Sequence, residues 1–281
     1  MKIKNIIKVL LAIFIVIFIV NIILYSSSGN YAAVIRIDGI INDAKADEWI
    51  ETLNGARNDP NCKGILIKVN SPGGGACASE RLYGVIKKIN AVKPVVVLIE
   101  SVGASGGYFI SCGAEKIVCY PTSITGSIGV IFETINISRL AKNLGISDFT
   151  IKSGDVKDVG NPFRKPTNKD RAMLQNVINS VYSEFFNVVS SSRHINPDIL
   201  KKYADGSVFS GKEALQIGLV DSIGGESAAK SILRKKTKIQ NINFRIIDRK
   251  KSALRNILGE KIFNIIDHLN ILFTPKINTM L

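Results

Sequence analysis

A chain of 281 residues that is 46% hydrophobic and 21% charged is too apolar for disorder and long enough for one sizeable core or two small domains. Its formal net charge of +14 permits contact with anions, but Lys and Arg are spread along the chain and aromatics make up only 7%, so nucleic-acid binding is not expected. Cys62, Cys77, Cys112 and Cys119 form no C-x-x-C pair; they suggest neither a zinc site nor a thioredoxin-like motif and read as small core residues.

Lys2, Lys4 and Lys8 precede the apolar run Val9–Tyr25, broken only by Asn21. Roughly 17 apolar residues is the lower bound for crossing a bilayer and exceeds the h-region of a cleaved signal. The expectation is one transmembrane helix over 9–25. The competing reading is a long signal peptide cut near Ser26–Ala33. The lysines lie before the run and none follow within Ser26–Ile35, which keeps residues 1–8 cytoplasmic and puts the globular part outside. Residues 26–31 then form a short polar stalk.

Beyond the stalk, strands and helices alternate. Strands are expected at Ala32–Ile37, Gly64–Val69, Pro94–Ile99 and Lys116–Cys119, with helices at Asp47–Asn58 and Ala78–Ile89. That order predicts a largely parallel α/β layer. Further on come a helix around Ile137–Leu144, a short strand at Phe149–Ile151 and a polar loop over Lys152–Arg164. The longest helix is expected at Thr167–Ser192, followed by short helices at Pro197–Tyr203 and Lys212–Gln216 with a turn and short strand between them. A tight connection at Gly218–Gly225 leads into a helix through Leu233. From Arg234 the composition turns basic, with a strand expected at Asn241–Ile247 and an amphipathic helix at Ala253–Phe273.

Three segments carry chemistry. G-A-S-G-G-Y at 103–108 places Ser105 among small residues where a strand gives way to a helix, a position from which a hydroxyl can act as nucleophile. A tight helix–strand contact explains the same small residues. N-S-P-G-G-G at 70–75 lets the backbone turn sharply and aim N–H groups at a ligand, as an oxyanion donor must, or is a plain strand-to-helix turn. No Lys-Ser or Lys-Thr follows these glycines, so phosphate binding fits poorly. A serine hydroxyl needs a base within reach. The two histidines, His194 and His268, lie after a long helix and in the tail, where surface roles are expected. A lysine is the next option; such a base titrates near 7–8 rather than about 10.4, which calls for burial beside hydroxyls rather than carboxylates. Lysines are numerous, and chemistry alone does not choose among them.

Taken together, N-S-P-G-G-G at 70–75, G-A-S-G-G-Y at 103–108, T-G-S-I-G-V at 125–130 and S-G-D-V-K-D at 153–158 resemble the signal peptide peptidase A family of membrane-anchored serine proteases, peptidase family S49. The resemblance spans about Ala32–Lys236. It implies a Clp protease/crotonase-like fold of repeated ββα units, a Ser/Lys dyad and a ring-shaped homo-oligomer. Matched residue by residue, it implies Ser105 as nucleophile, Lys157 as base and Ser127 as the hydroxyl bonded to the lysine amine. The oxyanion hole would use the backbone N–H groups of Gly74 and Gly106. Asn70 departs from the family, where Asp is common, and Asp155 and Asp158 flank the lysine and are expected to face solvent. The chain is too short for two copies of the core and resembles the short form, in which serine and lysine can come from different subunits. The implied domain is 32–236, with a basic tail of unassigned role at 237–281.

The implied activity is endopeptidase cleavage of peptides at or near the membrane, such as signal-peptide remnants, with no cofactor or metal. The alternative is a crotonase-like acyl-CoA enzyme or an inactive membrane scaffold, since fold alone allows either. The anchor, by removing the globular part from cytosolic acyl-CoA, and the presence of both Ser105 and Lys157 favour the protease.

Overall fold

The computed structural model of the chain describes Ile13, residues 29–247 and residues 277–279. The expected anchor and the expected helix at Ala253–Phe273 lie outside the described residues, Ile13 excepted. Among the described residues no helix is long and apolar enough to cross a membrane.

The centre is a parallel-rich sheet built from β1 (Tyr31–Asp38), β2 (Cys62–Ser71), β4 (Val95–Ala104), β5 (Lys116–Cys119), β9 (Ser222–Ile223) and β10 (Asn243–Ile246) in the order β10-β1-β2-β4-β5-β9. Two further strands, β6 (Ile124–Gly126) and β8 (Val208–Ser210), branch from β4; β6 runs parallel to β4, and β8 antiparallel to β6. The helices are α1 (Asp43–Asn58), α2 (Ala76–Asn90), α3 (Gly106–Ser111), α4 (Ser138–Asn143), α5 (Asn168–Arg193), α6 (Pro197–Leu200), α7 (Gly211–Gln216) and α8 (Glu226–Thr237). The segment 237–281 thus contributes β10 to the edge of the sheet beside β1.

Both faces of the sheet are covered, which is why its central strands read as continuous apolar runs. Alternate residues Ile35, Ile37, Ile65, Ile67, Val97 and Ile99 pack with Trp49 and Leu53 of α1, Leu82 and Ile86 of α2, and Phe185 of α5. The intervening residues Val34, Leu66, Val96 and Leu98 pack with Ala229 and Leu233 of α8. Period-two alternation along each strand divides the chain's apolar residues between these two layers.

Most expected elements are present, and the differences have local causes. α1 starts four residues before its apolar periodicity because Asn42 caps it, its side chain accepting the Lys45 N–H at 2.9 Å. β4 continues five residues past Ile99. Its extension contains Glu100, which breaks the apolar pattern because it pairs at 2.8 Å with the largely buried ammonium of Lys68, itself 2.9 Å from Glu226. Phe149–Ile151 is not a strand: the run finds no strand to pair with among the described residues, and Phe149 and Ile151 are 87% and 86% exposed. Cys62, Cys112 and Cys119 are buried, as expected of small core residues, but Cys77 is exposed on α2. Two short strands had no signal in the sequence. β3 (Gly74–Gly75) and β7 (Ile131–Phe132) flank β11 (Ile277–Thr279) in a separate three-stranded sheet.

Candidate active site

β4 changes partners part-way along. Val96–Ile99 pair with β5, whereas Val102–Ala104 pair with β6. The fork lies towards the carboxyl end of β4, the end at which α/β sheets place their sites. Ser105 is the next residue after β4 and caps α3.

Its backbone holds φ 51° and ψ −121°, a conformation that costs a non-glycine residue about 1–3 kcal/mol. Two hydrogen bonds hold it there: the Ser105 N–H donates to the Gly126 carbonyl at 2.8 Å, and its own carbonyl accepts the Phe109 N–H at 2.8 Å. The side chain is fully buried, and Oγ has no hydrogen-bond partner among the described residues. Buried hydroxyls are ordinarily bonded. An orphaned hydroxyl on a strained strand-to-helix turn is the arrangement of a nucleophile elbow. The small residues after it are required by contact: a Cβ on Gly107 would lie 2.5 Å from the Ser71 carbonyl oxygen.

Ser127 occupies the matching position on β6. Ala104 pairs with Gly126, so Ser105 and Ser127 are each one step past a registered pair. Ser127 also has φ 51°, is 5% exposed, and donates its N–H to the Ser207 carbonyl at 2.7 Å. Parallel neighbours lie ~4.8 Å apart, which sets the two serines side by side just past the fork.

Gly74 arrives on a pinned loop. Ile41 donates its N–H to the Gly73 carbonyl at 2.8 Å and accepts the Gly75 N–H at 2.8 Å. A Cβ on Gly74 would stand 2.0 Å from the Ile41 oxygen, so only glycine fits. Asn70 ties two neighbouring segments together: its side-chain oxygen accepts the Val102 N–H at 3.3 Å, while its carbonyl accepts the Gly39 N–H at 2.9 Å. A carboxylate oxygen can accept the first bond equally well. Gly106 is the first residue of α3, where backbone N–H groups lack partners inside the helix.

Lys157 stands apart. It is exposed, in a turn where its N–H donates to the Gly154 carbonyl at 3.1 Å. No ion pair or side-chain hydrogen bond joins it to Ser105, Ser127 or any other described residue. Its acidic neighbours are engaged elsewhere. Asp155 faces solvent, as expected, and pairs with Lys169 at 2.7 Å. Asp158 does not: it is largely buried against Arg164 at 2.8 Å and Lys152 at 2.8 Å. Arg164 also binds the buried Asp170, which forms a capping box with Thr167 at the start of α5. The Arg164 guanidinium holds the carboxyls of Asp158 and Asp170 well below the usual carboxylate range. The loop bearing Lys157 is therefore fastened at its base, and its acids are drawn away from the lysine. His194 is exposed at the carboxyl end of α5 with φ 53°, in keeping with its expected surface role.

A cavity of about 230 Å³ adjoins Gly106, walled by Phe109, Val130, Val181 and Phe185, with the exposed Glu80 and Glu184 among the lining residues. The aromatic walls escaped sequence reasoning because Phe185 sits on a distant helix. The T-shaped contact between Phe109 and Phe185, with ring centroids 5.0 Å apart, is what brings it here. Among the described residues no group of three or more His, Cys, Asp or Glu side chains could hold a metal.

The sequence profile of peptidase family S49 matches residues 87–240, and that of Clp protease matches residues 25–125. A putative protease of Methanocaldococcus jannaschii is 40% identical over 208 residues, 73% of this chain and 66% of the relative. A putative signal peptide peptidase SppA of Enterococcus faecium is 38% identical over 68% of this chain and 56% of its own length. The chain thus spans between about half and two thirds of the length of these relatives. A solved structure of a mutant of the 1510-N membrane-bound stomatin-specific protease superposes with a TM-score of 0.51 at 17% identity, covering 78% of this chain and 98% of that one. That likeness concerns the fold.

Proposed function

The chain belongs to peptidase family S49, and from that membership we propose that it is a serine endopeptidase whose nucleophile is Ser105 and whose general base is Lys157. The observation that carries the reading is Ser105 itself: a buried, orphaned Oγ on a strained turn beside an apolar cavity. In the reaction Oγ attacks the scissile carbonyl while the lysine amine takes its proton. The N–H groups of Gly74 and Gly106 stabilise the oxyanion, and the protonated amine then passes its proton to the leaving nitrogen. Water hydrolyses the acyl-enzyme by the same sequence in reverse roles. Ser127 orients the amine.

Among the described residues Ser105 Oγ lacks a partner and Lys157 reaches neither serine, which supports a dyad completed by a second copy. The exposed apolar residues between β7 and the lysine loop, among them Ile135, Leu140, Leu144, Phe149 and Ile151, suit burial in such an interface. A cyclic homo-oligomer satisfies a head-to-tail contact without open ends. The run 9–25 anchors the protein as a single span with the peptidase domain outside the cytoplasm. Substrates are peptides at or near the membrane, such as signal-peptide remnants, and no metal or cofactor takes part.

The test is labelling with an acylating serine-hydrolase probe followed by peptide mapping. Modification of Ser105 in the native protein, and none in Ser105→Ala, is the expected result. Labelling that persists in Ser105→Ala, or turnover abolished by a chelator, contradicts the assignment.

A further inference from the structure

The amino ends of the sheet's strands carry a charge that the proposed chemistry does not use. β2, β4, β5 and β10 are each entered from the carboxyl end of a helix, α1, α2, α3 and α8 in turn, so four helix ends and their connections gather along one edge. Contacts join them into one surface. Lys93 Nζ donates to the Ala56 and Asp59 carbonyls at 3.0 and 2.7 Å, tying the connection before β4 to the one before β2. A Cβ on Gly64 would stand 2.9 Å from Thr237 at the end of α8 and 3.2 Å from the Pro94 oxygen. Lys236 pairs with Glu115 just before β5, and the Arg245 guanidinium lies 4.4 Å from the centre of the Tyr31 ring.

The segments 57–63, 87–95, 114–116 and 234–245 that form this edge hold eleven Lys and Arg against two carboxylates, Asp59 and Glu115. Both carboxylates are engaged, Asp59 by the Tyr31 hydroxyl at 2.7 Å and Glu115 by Lys236. Arg57, Lys63, Lys87, Lys88, Lys235 and Lys238 make no ion pair among the described residues, and all but the half-buried Lys63 are exposed. Helix carboxyl ends attract cations, but Lys63 and Arg245 lie beyond the helices, on β2 and β10, so helix ends account for only part of the charge. Tyr31 opens β1 at this same edge, a few residues after the apolar run 9–25. The chain from Tyr25 to Tyr31 reaches at most about 20 Å when fully extended. An apolar run seated in a bilayer therefore keeps this edge close to the headgroups.

Resting on the single-span reading of 9–25, we propose that the amino edge of the sheet is a docking face for anionic lipid headgroups. Such lipids give a bilayer a negative surface potential, and clustered Lys and Arg are drawn to it within a Debye length of about 8–10 Å. A short polar stalk alone leaves the tilt of the domain unset. The basic edge sets it. With that edge on the membrane, the ten residues of β4 rise away from it and put Ser105 about 30 Å above the headgroups. Peptides are then cleaved after they leave the bilayer, not within it.

The experiment places the full chain in nanodiscs of phosphatidylcholine alone or mixed with phosphatidylglycerol, acetylates surface amines briefly, and maps them by mass spectrometry. The proposal predicts that Lys87, Lys88, Lys235 and Lys238 react about tenfold more slowly in the anionic discs and that high salt restores their rate. Lys212 is exposed beyond the far end of β5, where its N–H donates to the Pro121 carbonyl, and should react equally in both. The full-chain variant Lys87→Gln, Lys88→Gln, Lys235→Gln, Lys238→Gln should lose the protection of Lys63. Size-exclusion chromatography of the same samples reports on the anchor. If the protein stays with both kinds of disc but the four lysines react equally, the proposal falls while the single-span reading stands. If it elutes free of the neutral discs yet is protected on the anionic ones, the docking face stands and the single-span reading falls. Equal protection by soluble RNA added to the neutral discs would make the edge a general polyanion surface and overturn the lipid assignment.

Discussion

Ser105 and Ser127 stand one residue beyond the registered pair Ala104 and Gly126 on neighbouring parallel strands, both with φ at 51° and both buried. Two serines forced into the same unfavourable backbone region, side by side, point to a shared task rather than to two unrelated turns. The hydrogen bond from the Ser105 N–H to the Gly126 carbonyl makes the two turns one unit.

The roles within that unit differ, and so do the expected losses. On the proposed dyad, Ser105→Ala should abolish turnover, as should Lys157→Ala, because nucleophile and base would act together. Ser127→Ala, which loses an orienting hydroxyl, costs about 10–100-fold in kcat with little change in KM. Steady-state kinetics on a peptide substrate, with circular dichroism confirming an intact fold, separates the three. A Ser127→Ala protein as dead as Ser105→Ala would make Ser127 a reacting group.

Gly107→Ala tests how the elbow is packed. Its Cβ would stand 2.5 Å from the Ser71 carbonyl oxygen, backbone that cannot step aside. Thermal unfolding should show a loss of about 1–3 kcal/mol, accompanied by loss of labelling at Ser105. Gly154→Ala, whose Cβ would meet nothing within 4 Å, is the matched control and should leave stability within about 0.5 kcal/mol. Equal effects of the two would show that the contact with Ser71 does not position the turn.

The clamp of Asp158 and Asp170 on Arg164 makes an acid-sensitive fastening. Both carboxyls have folded pKa values below their unfolded ones. Their contribution is therefore complete above the ordinary carboxylate range near 4 and is lost as pH falls through it towards the folded values. Melting temperature measured from pH 7 down to pH 2 should fall along this limb in the native protein. In Arg164→Ala the limb should be shallower and the starting stability at pH 7 lower. Superimposable acid limbs would mean that the ion pairs are too well solvated to matter.

The layered α/β core was legible because both faces of its sheet are covered. Runs such as Val95–Ile99 then declare themselves by apolar content alone, and β5 coincides with its expected bounds. Ser105 was legible as a hydroxyl at a strand-to-helix junction, because glycine and alanine around it record close backbone contact. The rest depends on distant partners. Glu100 hides the second half of β4 because its charge is satisfied by Lys68 on the neighbouring strand. Phe185 reaches the cavity from a long helix, and β3, β7 and β11 are too short to carry a periodic pattern. Phe149 and Ile151 read as a strand because an apolar run carries the same sequence signature whether its residues are buried or, as here, exposed.

A dyad completed between neighbouring copies can be rebuilt from two variants that are each inactive alone. Ser105→Ala and Lys157→Ala proteins, each inactive alone, are dissociated, mixed in equal amounts and reassembled, and peptide hydrolysis is measured. With serine and lysine drawn from adjacent copies, about a quarter of the interfaces in a randomly assembled ring carry both, so activity should return to about a quarter of the native rate. A mixture that reassembles to the native size and stays inactive, beside a native protein that is fully active, would contradict a site shared between copies.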